Sequence, residues 1–469
     1  MQKIMLLGFL VPLSACTIGP DYQGPPRLQA LGNTGAFLRA DAASVAHDAP
    51  VARWWENLHD PELDALMIHA LNANGDIAVA RARLAQSRAQ LGLDRADAAP
   101  SVSASPRFLY AHVPGLDLAG AGASSEDLTL YNLGFTASWE IDLFGGQYRA
   151  VEASRATMMA QQASLADVQV SLCAQLAQSY VDLRSLQHRK LLGEAGLKLI
   201  REQLDLTRQR FTRGTVAQEA VERQEAVLEE ATAALFDLAS LIERRLNALA
   251  TLSGEQAGSW DDRLSRLSPL PVTPDQTPIG NIAAMIQRRP DIRASERKLA
   301  AATARIGAAK ASAMPRLSFL GIIGVGGSSP GKLTDVSDMT ALGMPTLQWG
   351  FLDFGRNRAR LSQAKAARAE AAAEYEGVVL AAVGDAEDAL SVFHYSRRIA
   401  EARARAWQAA RRSAVLSHSR YDAGVLTRID TIDSDLQRLK CEQAHVEALA
   451  GVTRAYIGLH KALGLGWSD

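Results

Sequence analysis

The sequence predicts a mainly helical, internally duplicated chain that also carries strands able to enter a membrane. Three observations predict this class: the two halves of the chain align with each other, each half contains alternating apolar and polar residues, and each half continues into a very long helical pattern. Alanine is frequent and aromatic residues make up only 6% of the 469 residues, which suits helices packed closely side by side.

Composition and motifs exclude several classes of function. The formal net charge is −1 and no block of lysine or arginine occurs, so no nucleic-acid partner is expected. The nine histidines are scattered, and neither HExxH nor CxxC is present, so no metal site is expected. Cys173 and Cys441 lie in helical patterns at positions that are not equivalent in the two halves, and we expect no disulfide between them.

The first residues have the form of a bacterial export signal. Lys3 is followed by an apolar run too short to span a bilayer, and residues 1–15 are predicted to be a signal peptide. Residues 13–16, Leu-Ser-Ala-Cys, resemble the lipobox, in which the cysteine is acylated after cleavage. That resemblance implies a covalent lipid on Cys16 and an extended, lipid-anchored segment over 16–55. Thr17 follows where an inner-membrane protein would have aspartate, which implies the outer membrane. An ordinary signal peptide with an incidental cysteine is the alternative.

The chain contains an internal sequence duplication. Residues 75–102 align with 290–317 at an offset of 215, whereas Trp139 aligns with Trp349 at an offset of 210. A deletion of five residues therefore lies between Pro315 and Trp349. We assign 56–264 to the first repeat, 265–278 to a proline-rich linker and 279–469 to the second repeat.

Each repeat is predicted to contain the same elements in the same order. Two helices come first and stop before Pro100 or Pro315. A β-hairpin, a very long helix and, after a glycine, a helix of about 35 residues follow. The predicted bounds are 61–73, 76–98, 101–144 and 147–213 in the first repeat, and 279–289, 291–313, 316–354 and 356–423 in the second.

The hairpins are predicted to be amphipathic strands that cross a membrane. Between residues 128 and 144, apolar and polar residues alternate strictly, and the apolar face includes Tyr131, Phe135 and Trp139. Strands of this length can span a bilayer, and aromatic residues favour its interfaces, as we expect for Trp139 and Trp349. No later segment has 18 uninterrupted apolar residues, so any crossing must use strands. A soluble sandwich is the alternative, but four strands are too few to build one.

Four strands cannot close a barrel, and a sheet in lipid cannot leave its edges unpaired. Two copies would give eight strands without a pore, while three give twelve, the smallest assembly with a usable channel. The sequence therefore predicts a homotrimer with a 12-stranded transmembrane β-barrel. The long helices, roughly 100 Å each, would continue this barrel as a periplasmic α-helical barrel.

Repeat, strands and lipobox together with "CTIGPDY" (16–22) and "RWWENLHDPELDALMIHAL" (53–71) resemble one protein family. The chain is similar to the outer membrane factors of tripartite efflux pumps, in particular the lipidated OprM/NodT branch of the TolC-like family. This resemblance implies a trimeric outer membrane channel without catalysis that conducts drugs or other small molecules. It implies as partners a periplasmic adaptor (membrane fusion) protein and, through it, an inner-membrane RND-type transporter.

The glycine breaks are predicted to be the tips of helical hairpins. Gly214 and Gly424 occupy equivalent positions, and glycine permits the positive φ that reverses the chain after a helix. The family resemblance implies that the turn residues meet the hairpins of the adaptor. These residues are Gly214, Thr215, Val216, Gly424, Val425, Leu426 and Thr427.

Carboxylates follow only the second of these turns. Asp430 and Asp433 lie three residues apart on one helical face, where the first repeat has Ala220 and Arg223. By resemblance these are the positions of a constricting acidic ring, in which mutual repulsion should raise the carboxyl pKa values. The predicted partners that hold neighbouring tips shut are Arg420, Tyr421 and Arg428. A solvated helix face is the alternative.

Other functions share some of these sequence features. Residues 326–332 contain GxxxxGK, as in phosphate-binding loops, but Leu333 stands where a magnesium-binding hydroxyl is needed, so we expect no enzyme. The remaining alternatives are a type I protein secretion channel and a periplasmic adaptor or coiled-coil structural protein.

Overall fold

The computed structural model describes residues 17–26, 35–41, 45–46, 48–112, 127–334, 337 and 339–467. The predicted signal peptide and the lipidation at Cys16 lie outside these residues. The chain forms two compact units. Among the described residues, the first unit contains 17–26, 83–112, 127–161, 294–334, 337 and 339–375, and the second contains 35–41, 45–46, 48–82, 162–293 and 376–467.

The first unit contains a four-stranded antiparallel sheet. Its strands lie side by side in the order β2 (Ser101–His112), β3 (Asp127–Ile141), β5 (Arg316–Gly327) and β6 (Met339–Gln348). Each repeat contributes one hairpin, and the hairpins meet where β3 pairs with β5. In the second unit, β1 (Val45–Ala46) pairs in parallel with β4 (Thr277–Pro278).

The register of the sheet collects the predicted apolar residues on one face. Trp139 lies opposite Phe319, and Phe135 lies opposite Ile323. Next to them, Leu317 lies opposite Leu347. Because side chains alternate along a strand, these residues share a face, and most of them are exposed in the single chain. The other face is mostly polar in the first repeat, apart from Leu109 opposite Leu130. It is mixed in the second, where Leu320 and Ile322 lie opposite Ser138 and Thr136.

The helices begin and end within three residues of the predicted positions. They are α1 (Pro61–Ala73), α2 (Gly75–Asp97), α3 (Gly146–Thr212), α4 (Gln218–Leu252), α5 (Asp261–Leu264), α6 (Ile282–Arg288), α7 (Pro290–Ala311), α8 (Arg356–Asp422) and α9 (Arg428–Ala462). In the part of the chain that the structure describes, none of these helices combines the length and apolarity needed to cross a membrane.

Element lengths repeat between the halves. Helices α3 and α8 have 67 residues each, and α4 and α9 have 35 each. Both ends of β2 match both ends of β5 at the offset of 215, so the five-residue deletion lies after Gly327. The second repeat therefore lost residues in the connection between its two strands or in β6.

Packing in the first unit relies on small residues. Ala156 on α3 and Ala300 and Ala301 on α7 are buried together, with Tyr22 of the N-terminal segment against them. The same segment is fixed by Arg149, a buried residue whose guanidinium pairs with Asp21 at 2.6 Å. Short side chains let these backbones approach closely, as the alanine content predicts.

The second unit has the larger apolar core. The fully buried Trp54 ring lies 6.1 Å from the ring of Tyr456 and 5.4 Å from that of His460. Asp60 caps α1 by accepting from the N–H groups of Glu62 and Leu63, and it also accepts from the Tyr180 hydroxyl at 2.7 Å. The segment 53–71 is therefore held to the long helix α3 by buried contacts.

Candidate functional site: the hairpin tips and the sheet junctions

Both hairpin tips close with the same hydrogen bonds. Gly214 has φ +72° and Gly424 has φ +74°. Thr215 N–H donates to the Arg210 carbonyl at 2.9 Å, and Val425 N–H donates to the Arg420 carbonyl at 2.8 Å. These bonds define a Schellman motif, which satisfies the last carbonyls of α3 and α8. Any L side chain would be strained at this φ, so glycine is required at both turns.

The turn residues predicted to meet an adaptor lie at the surface of the single chain. Thr215, Val425 and Thr427 are exposed together with the two glycines, whereas Val216 and Leu426 are half-buried. Val425 presents an apolar side chain to solvent. The surface of each tip is therefore small, mostly uncharged and available for contact.

The two tips differ at the start of the following helix. Thr427 is the N-cap of α9: its side chain accepts from the Asp430 N–H, and the Asp430 carboxylate accepts from the Thr427 N–H at 2.8 Å. This reciprocal pair is a capping box. Helix α4 begins after Ala217 without any side-chain cap. The asymmetry between the repeats therefore has a structural component as well as an electrostatic one.

Asp430 has a depressed pKa in the single chain. Hydrogen bonds from the Thr427 side chain and backbone, with smaller contributions from the charges of Arg210 and Arg420, lower the pKa of Asp430. This direction is opposite to the rise expected for an acidic ring. The reason is that the rise requires repulsion between copies, whereas the capping box acts within one copy.

Arg428 ties the second hairpin to the first. Its Nε donates to Glu202 Oε1 at 2.6 Å and its Nη2 donates to Glu202 Oε2 at 2.9 Å, which gives a bidentate ion pair between α9 and α3. The hydrogen bond from Arg428 lowers the pKa of Glu202. Arg428 is one of the predicted tip partners, and Glu202 is not.

A second contact between the two hairpins involves Asp433. Gln203 Nε2 donates to Asp433 Oδ1 at 2.7 Å, and Gln224 Nε2 donates to Gln203 Oε1 at 3.0 Å. The chain of bonds connects α9 with α3 and α4. Asp430 and Asp433 thus lie on the same exposed helix face but differ in their partners: Asp430 caps its own helix, while Asp433 contacts the other hairpin.

Other polar contacts near the tips stay within one hairpin. His418 lies 2.9 Å from Asp435, both in the second hairpin, and Arg208 pairs with Glu225 at 2.6 Å in the first. Arg420 and Tyr421 are exposed at the end of α8. The structure thus brings Arg428 and Asp433 into contact with the first hairpin and leaves Arg420 and Tyr421 at the surface.

Some tip residues could have been found from sequence and others could not. Thr427 and Asp430 have the T-x-x-D spacing of a capping box, which the sequence analysis did not use. Glu202 and Arg428 are 226 residues apart, and their contact depends on how two hairpins pack. No local sequence pattern predicts a contact between residues so far apart in the chain.

The two predicted interface tryptophans have matching environments at the sheet. Trp139 Nε1 donates to the Ala98 carbonyl and Trp349 Nε1 donates to the Ala313 carbonyl, both at 3.2 Å. Each acceptor lies just beyond the last residue of α2 or α7. The indole N–H is satisfied while part of each ring stays exposed, an arrangement that suits an interface between an apolar and a wet phase.

Within the described residues, no group of three or more His, Cys, Asp or Glu side chains could hold a metal ion. The GxxxxGK segment forms the end of β5 and a short 3-10 helix, Pro330–Thr334, in which no residue is buried.

An internally duplicated chain with two amphipathic hairpins in one sheet and two long helical hairpins has the fold of the TolC-like outer membrane channels. A family model described as outer membrane efflux protein matches residues 66–255 and 281–465, once for each repeat. The chain belongs to the outer membrane efflux protein family.

Relatives of known name match over almost the whole chain. Nodulation protein T of Rhizobium leguminosarum bv. trifolii is 28% identical, over 98% of this chain and 96% of its own length. Outer membrane protein OprJ of Pseudomonas aeruginosa is 29% identical, over 97% and 94%. The probable efflux pump outer membrane protein TtgC of Pseudomonas putida is 28% identical, over 97% and 94%.

Solved structures of channels are similar in fold. The outer-membrane channel OprN aligns with a TM-score of 0.86 at 31% identity, covering 96% of this chain and 100% of that one. The open state of the Neisseria gonorrhoeae MtrE outer membrane channel aligns with a TM-score of 0.79 at 26% identity, covering 96% and 98%. The CmeC channel of Campylobacter jejuni, at 20% identity and a TM-score of 0.85, shows the fold alone.

Proposed function

We propose that three copies of this chain form the outer membrane channel of a tripartite efflux system, through which drugs or other small molecules pass from the periplasm to the exterior. The observation that carries the proposal is the four-stranded sheet. Its outer strands β2 and β6 each pair on one side only within the described chain, and one face of the sheet is apolar and exposed.

Closure of this sheet supports the trimer. Unpaired strand edges are costly in lipid, so β2 of one copy must pair with β6 of another. A ring of three copies has twelve strands and leaves room for a solute, whereas two copies would fill the interior with side chains. The apolar face, with Phe135, Trp139 and Ile323, would contact lipid.

The relatives support the assignment to efflux. TtgC is named as a probable efflux pump outer membrane protein. In our proposal, the exposed tip residues around Gly214 and Gly424 contact a periplasmic adaptor, and an RND-type transporter in the inner membrane supplies the substrate. Acylation of Cys16 would anchor the chain in the outer membrane.

The contacts at the tips support a gate. Outward movement of the second hairpin would break the two ties to the first, Arg428 with Glu202 and Asp433 with Gln203. It would leave intact the capping box of α9 and the pair Arg208–Glu225, which lie within single hairpins. Opening therefore breaks contacts between the hairpins while these contacts within each hairpin persist, and an adaptor that binds the open tips would offset the cost.

Conductance in planar bilayers tests both the channel and the gate. We expect the native trimer to conduct poorly and Arg428→Gln to raise the open probability, because the bidentate pair with Glu202 is lost. The charge-reversed pair Glu202→Arg with Arg428→Glu should restore low conductance. Arg208→Gln, which breaks a pair within the first hairpin, is the matched control and should conduct like the native protein.

Two results would contradict this scheme. Purified protein that stays monomeric in detergent and forms no channels would exclude the channel itself. Conducting trimers whose open probability is the same in Arg428→Gln and Arg208→Gln would keep the channel but remove Arg428 from the gate.

A further inference from the structure

The segment that joins β6 to α8 exposes a run of apolar side chains. Trp349 is 56% exposed, Phe351 76% and Phe354 87%. Trp349 and Phe351 continue the alternation of Leu347, which lies on the apolar face of the sheet. We call residues 349–360 the second junction. Its apolar part prolongs the lipid-compatible face of the sheet beyond the last paired residue, Gln348.

Arginines follow this apolar run directly. Arg356, Arg358 and Arg360 are exposed, and no described residue forms an ion pair with them. Residues 350–369 contain five basic side chains and one acidic side chain. At a rise of 1.5 Å per residue the three arginines lie within about 6 Å along the helix, which is close to the thickness of one headgroup layer of a bilayer.

These arginines do not stabilise α8, the helix in which they lie. Cations in the first turn of a helix oppose its dipole and destabilise it slightly. Asp353 caps this end of α8, because it accepts from Asn357 N–H at 2.6 Å and from Gly355 N–H, just before the helix, at 3.0 Å. The charge of Arg356 also acts on Asp353, but none of the three arginines forms an ion pair within the described chain, so their side chains can bind an anion from outside it.

The first repeat lacks this charge. Its equivalents of the three arginines are Gly146, Tyr148 and Ala150, and residues 140–159 contain two basic and three acidic side chains. One of the two basic residues, Arg149, is buried and paired with Asp21 and Glu152.

The first repeat also covers its own junction. Ile18 N–H donates to the Phe144 carbonyl at 3.1 Å, and a Cβ at Gly145 would lie 2.8 Å from Thr17 Cγ2. A Cβ at the equivalent Gly355 would meet nothing within 4 Å. Residues 17–26, the described part of the N-terminal segment, cover residues 139–150, the first junction, and also pack on Gly307 of α7. They leave Gly355 uncovered, so the second junction is open to another occupant.

We propose that the second junction binds anionic glycerophospholipids of the leaflet that borders the periplasm. Phe351 and Phe354 would enter the boundary of the acyl chains, while Arg356 and Arg360, four residues apart on one helix face, would pair with phosphates, to which a guanidinium can donate two parallel hydrogen bonds. Arg358, on another face, would add its charge in the same headgroup layer. The inference rests on the proposed function, because it requires the sheet to lie in a bilayer. A neighbouring copy of the chain is the competing occupant.

Lipid retention tests the proposal. Full-length trimers would be reconstituted in vesicles of phosphatidylglycerol mixed with phosphatidylcholine, extracted gently, and examined by native mass spectrometry for the lipids that remain bound. Each basic side chain near an anionic surface contributes about fivefold in affinity. We therefore expect the native protein to retain phosphatidylglycerol preferentially, and the variant R356Q/R358Q/R360Q to lose this preference by about tenfold or more.

Two further variants complete the design. R403Q/R405Q/R411Q removes the same charge from exposed positions in the middle of α8 and should retain the native lipid preference. R356K/R358K/R360K keeps the charge and should also retain most of it.

Several results would overturn the inference while the channel stands. One is a native trimer that conducts but retains both lipids in their bulk ratio. Another is a triple glutamine variant whose trimers dissociate equally in both lipids, which would assign the arginines to contacts between copies. Failure of the native protein to form conducting trimers would instead contradict the proposed function.

Discussion

His460 is a fully buried histidine in the core of the second unit. Its ring lies 4.1 Å from the ring of Tyr456 and its Nδ1 lies 2.9 Å from the Tyr456 carbonyl oxygen, so Nδ1 carries the hydrogen of the neutral ring. Burial lowers the pKa of His460 to about 4, against a smaller opposing effect of the Tyr456 carbonyl. The core therefore stabilises the neutral imidazole relative to the charged one.

Acid should destabilise the second unit through this residue. The pKa of His460 is about 4 in the folded chain and 6.5 for an unperturbed histidine, so the unfolded chain binds the proton first as pH falls. The stability is fully present above the unfolded pKa and is lost as pH falls from 6.5 towards about 4. We expect the melting temperature of the native protein to fall more than that of His460→Asn over this interval, because asparagine keeps a donor but cannot be protonated.

The matched control is His69→Asn, at an exposed histidine that contacts Glu255. This variant should keep the acid sensitivity of the native protein. Equal acid sensitivity in native protein and His460→Asn, measured by differential scanning fluorimetry, would show that other groups dominate.

Two buried residues make equivalent hydrogen bonds in the two repeats. Arg289 is buried and Nη1 donates to the Ala462 carbonyl at 2.7 Å, at the end of α9. Asn74, its repeat equivalent, is buried and donates to the Leu252 carbonyl at 2.9 Å, at the end of α4. Each residue immediately precedes a helix, and its side chain donates to the last carbonyl of the final helix in its own repeat.

Removal of the buried donor should be costly at Arg289. Arg289→Leu leaves the Ala462 carbonyl and the Asp291 carboxylate without their partner, which should lower the free energy of unfolding by about 3 kcal/mol. Arg289→Asn, which copies the first repeat, should lose less. Thermal unfolding of the trimer measures both, and equal losses in the two variants would show that packing volume rather than hydrogen bonding sets the cost.

At the scale of elements, helix α9 gains from its capping box while α4 has no cap. Thr427→Ala should destabilise the second tip by about 1 kcal/mol, and the pair Ala217→Thr with Ala220→Asp should stabilise the first tip by a similar amount. Hydrogen exchange of the amides in the first turn of each helix measures these local changes. Unaltered exchange in both variants would mean that the tips are held by contacts between hairpins.

The capping box also separates two roles of Asp430. Asp430→Asn removes the charge and retains an acceptor for the Thr427 N–H, whereas Thr427→Ala removes the cap and retains the charge. If Asp430 and Asp433 form an acidic ring, Asp430→Asn and the pair Asp430→Ala with Asp433→Ala should raise single-channel conductance and reduce cation selectivity. Thr427→Ala should then conduct with native selectivity.

If conductance instead changes equally in Thr427→Ala and Asp430→Asn, the cap controls the tip and the charge does not.

Much of the element structure could be predicted from sequence because each signal was local or repeated. The strand alternation around Trp139, the turns at Gly214 and Gly424 and the ends of the helices follow from side-chain period, from the φ that glycine allows and from proline. The duplication provided each prediction twice, and the weaker pattern of β5 and β6 could be aligned with β2 and β3.

The contacts between elements could not be predicted in the same way. The ion pair of Arg428 with Glu202 depends on the packing of two hairpins that the sequence describes separately. The exposure of the second junction depends on where the N-terminal segment packs: its described residues 17–21 contact Phe144, Arg149 and Gly307 and leave Gly355 uncovered. Such contacts depend on tertiary geometry, which residue spacing does not encode.

At the scale of the whole molecule, the edges of the sheet determine how copies assemble. A pairing of β2 with β6 between copies is heterologous, because each copy uses two different edges. Heterologous contacts close into rings or continue as open filaments. The number of copies in the ring is then fixed by the strand count at which the barrel encloses a channel.

Disulfide trapping can count the copies. A chain with Cys173→Ala and Cys441→Ser removes the two internal thiols, and Ala104→Cys on β2 can be combined with single cysteines placed in turn along β6. We expect cross-links at one register only, because a one-residue slip would turn the apolar face of the neighbouring strand inward. Chains with both cysteines should form covalent trimers and no larger species, since closure leaves no free edge. Chains with one cysteine each, mixed together, should give dimers.

A ladder of cross-linked products extending beyond three copies would indicate an open assembly. A product that ends at two copies would indicate an eight-stranded barrel, which cannot conduct.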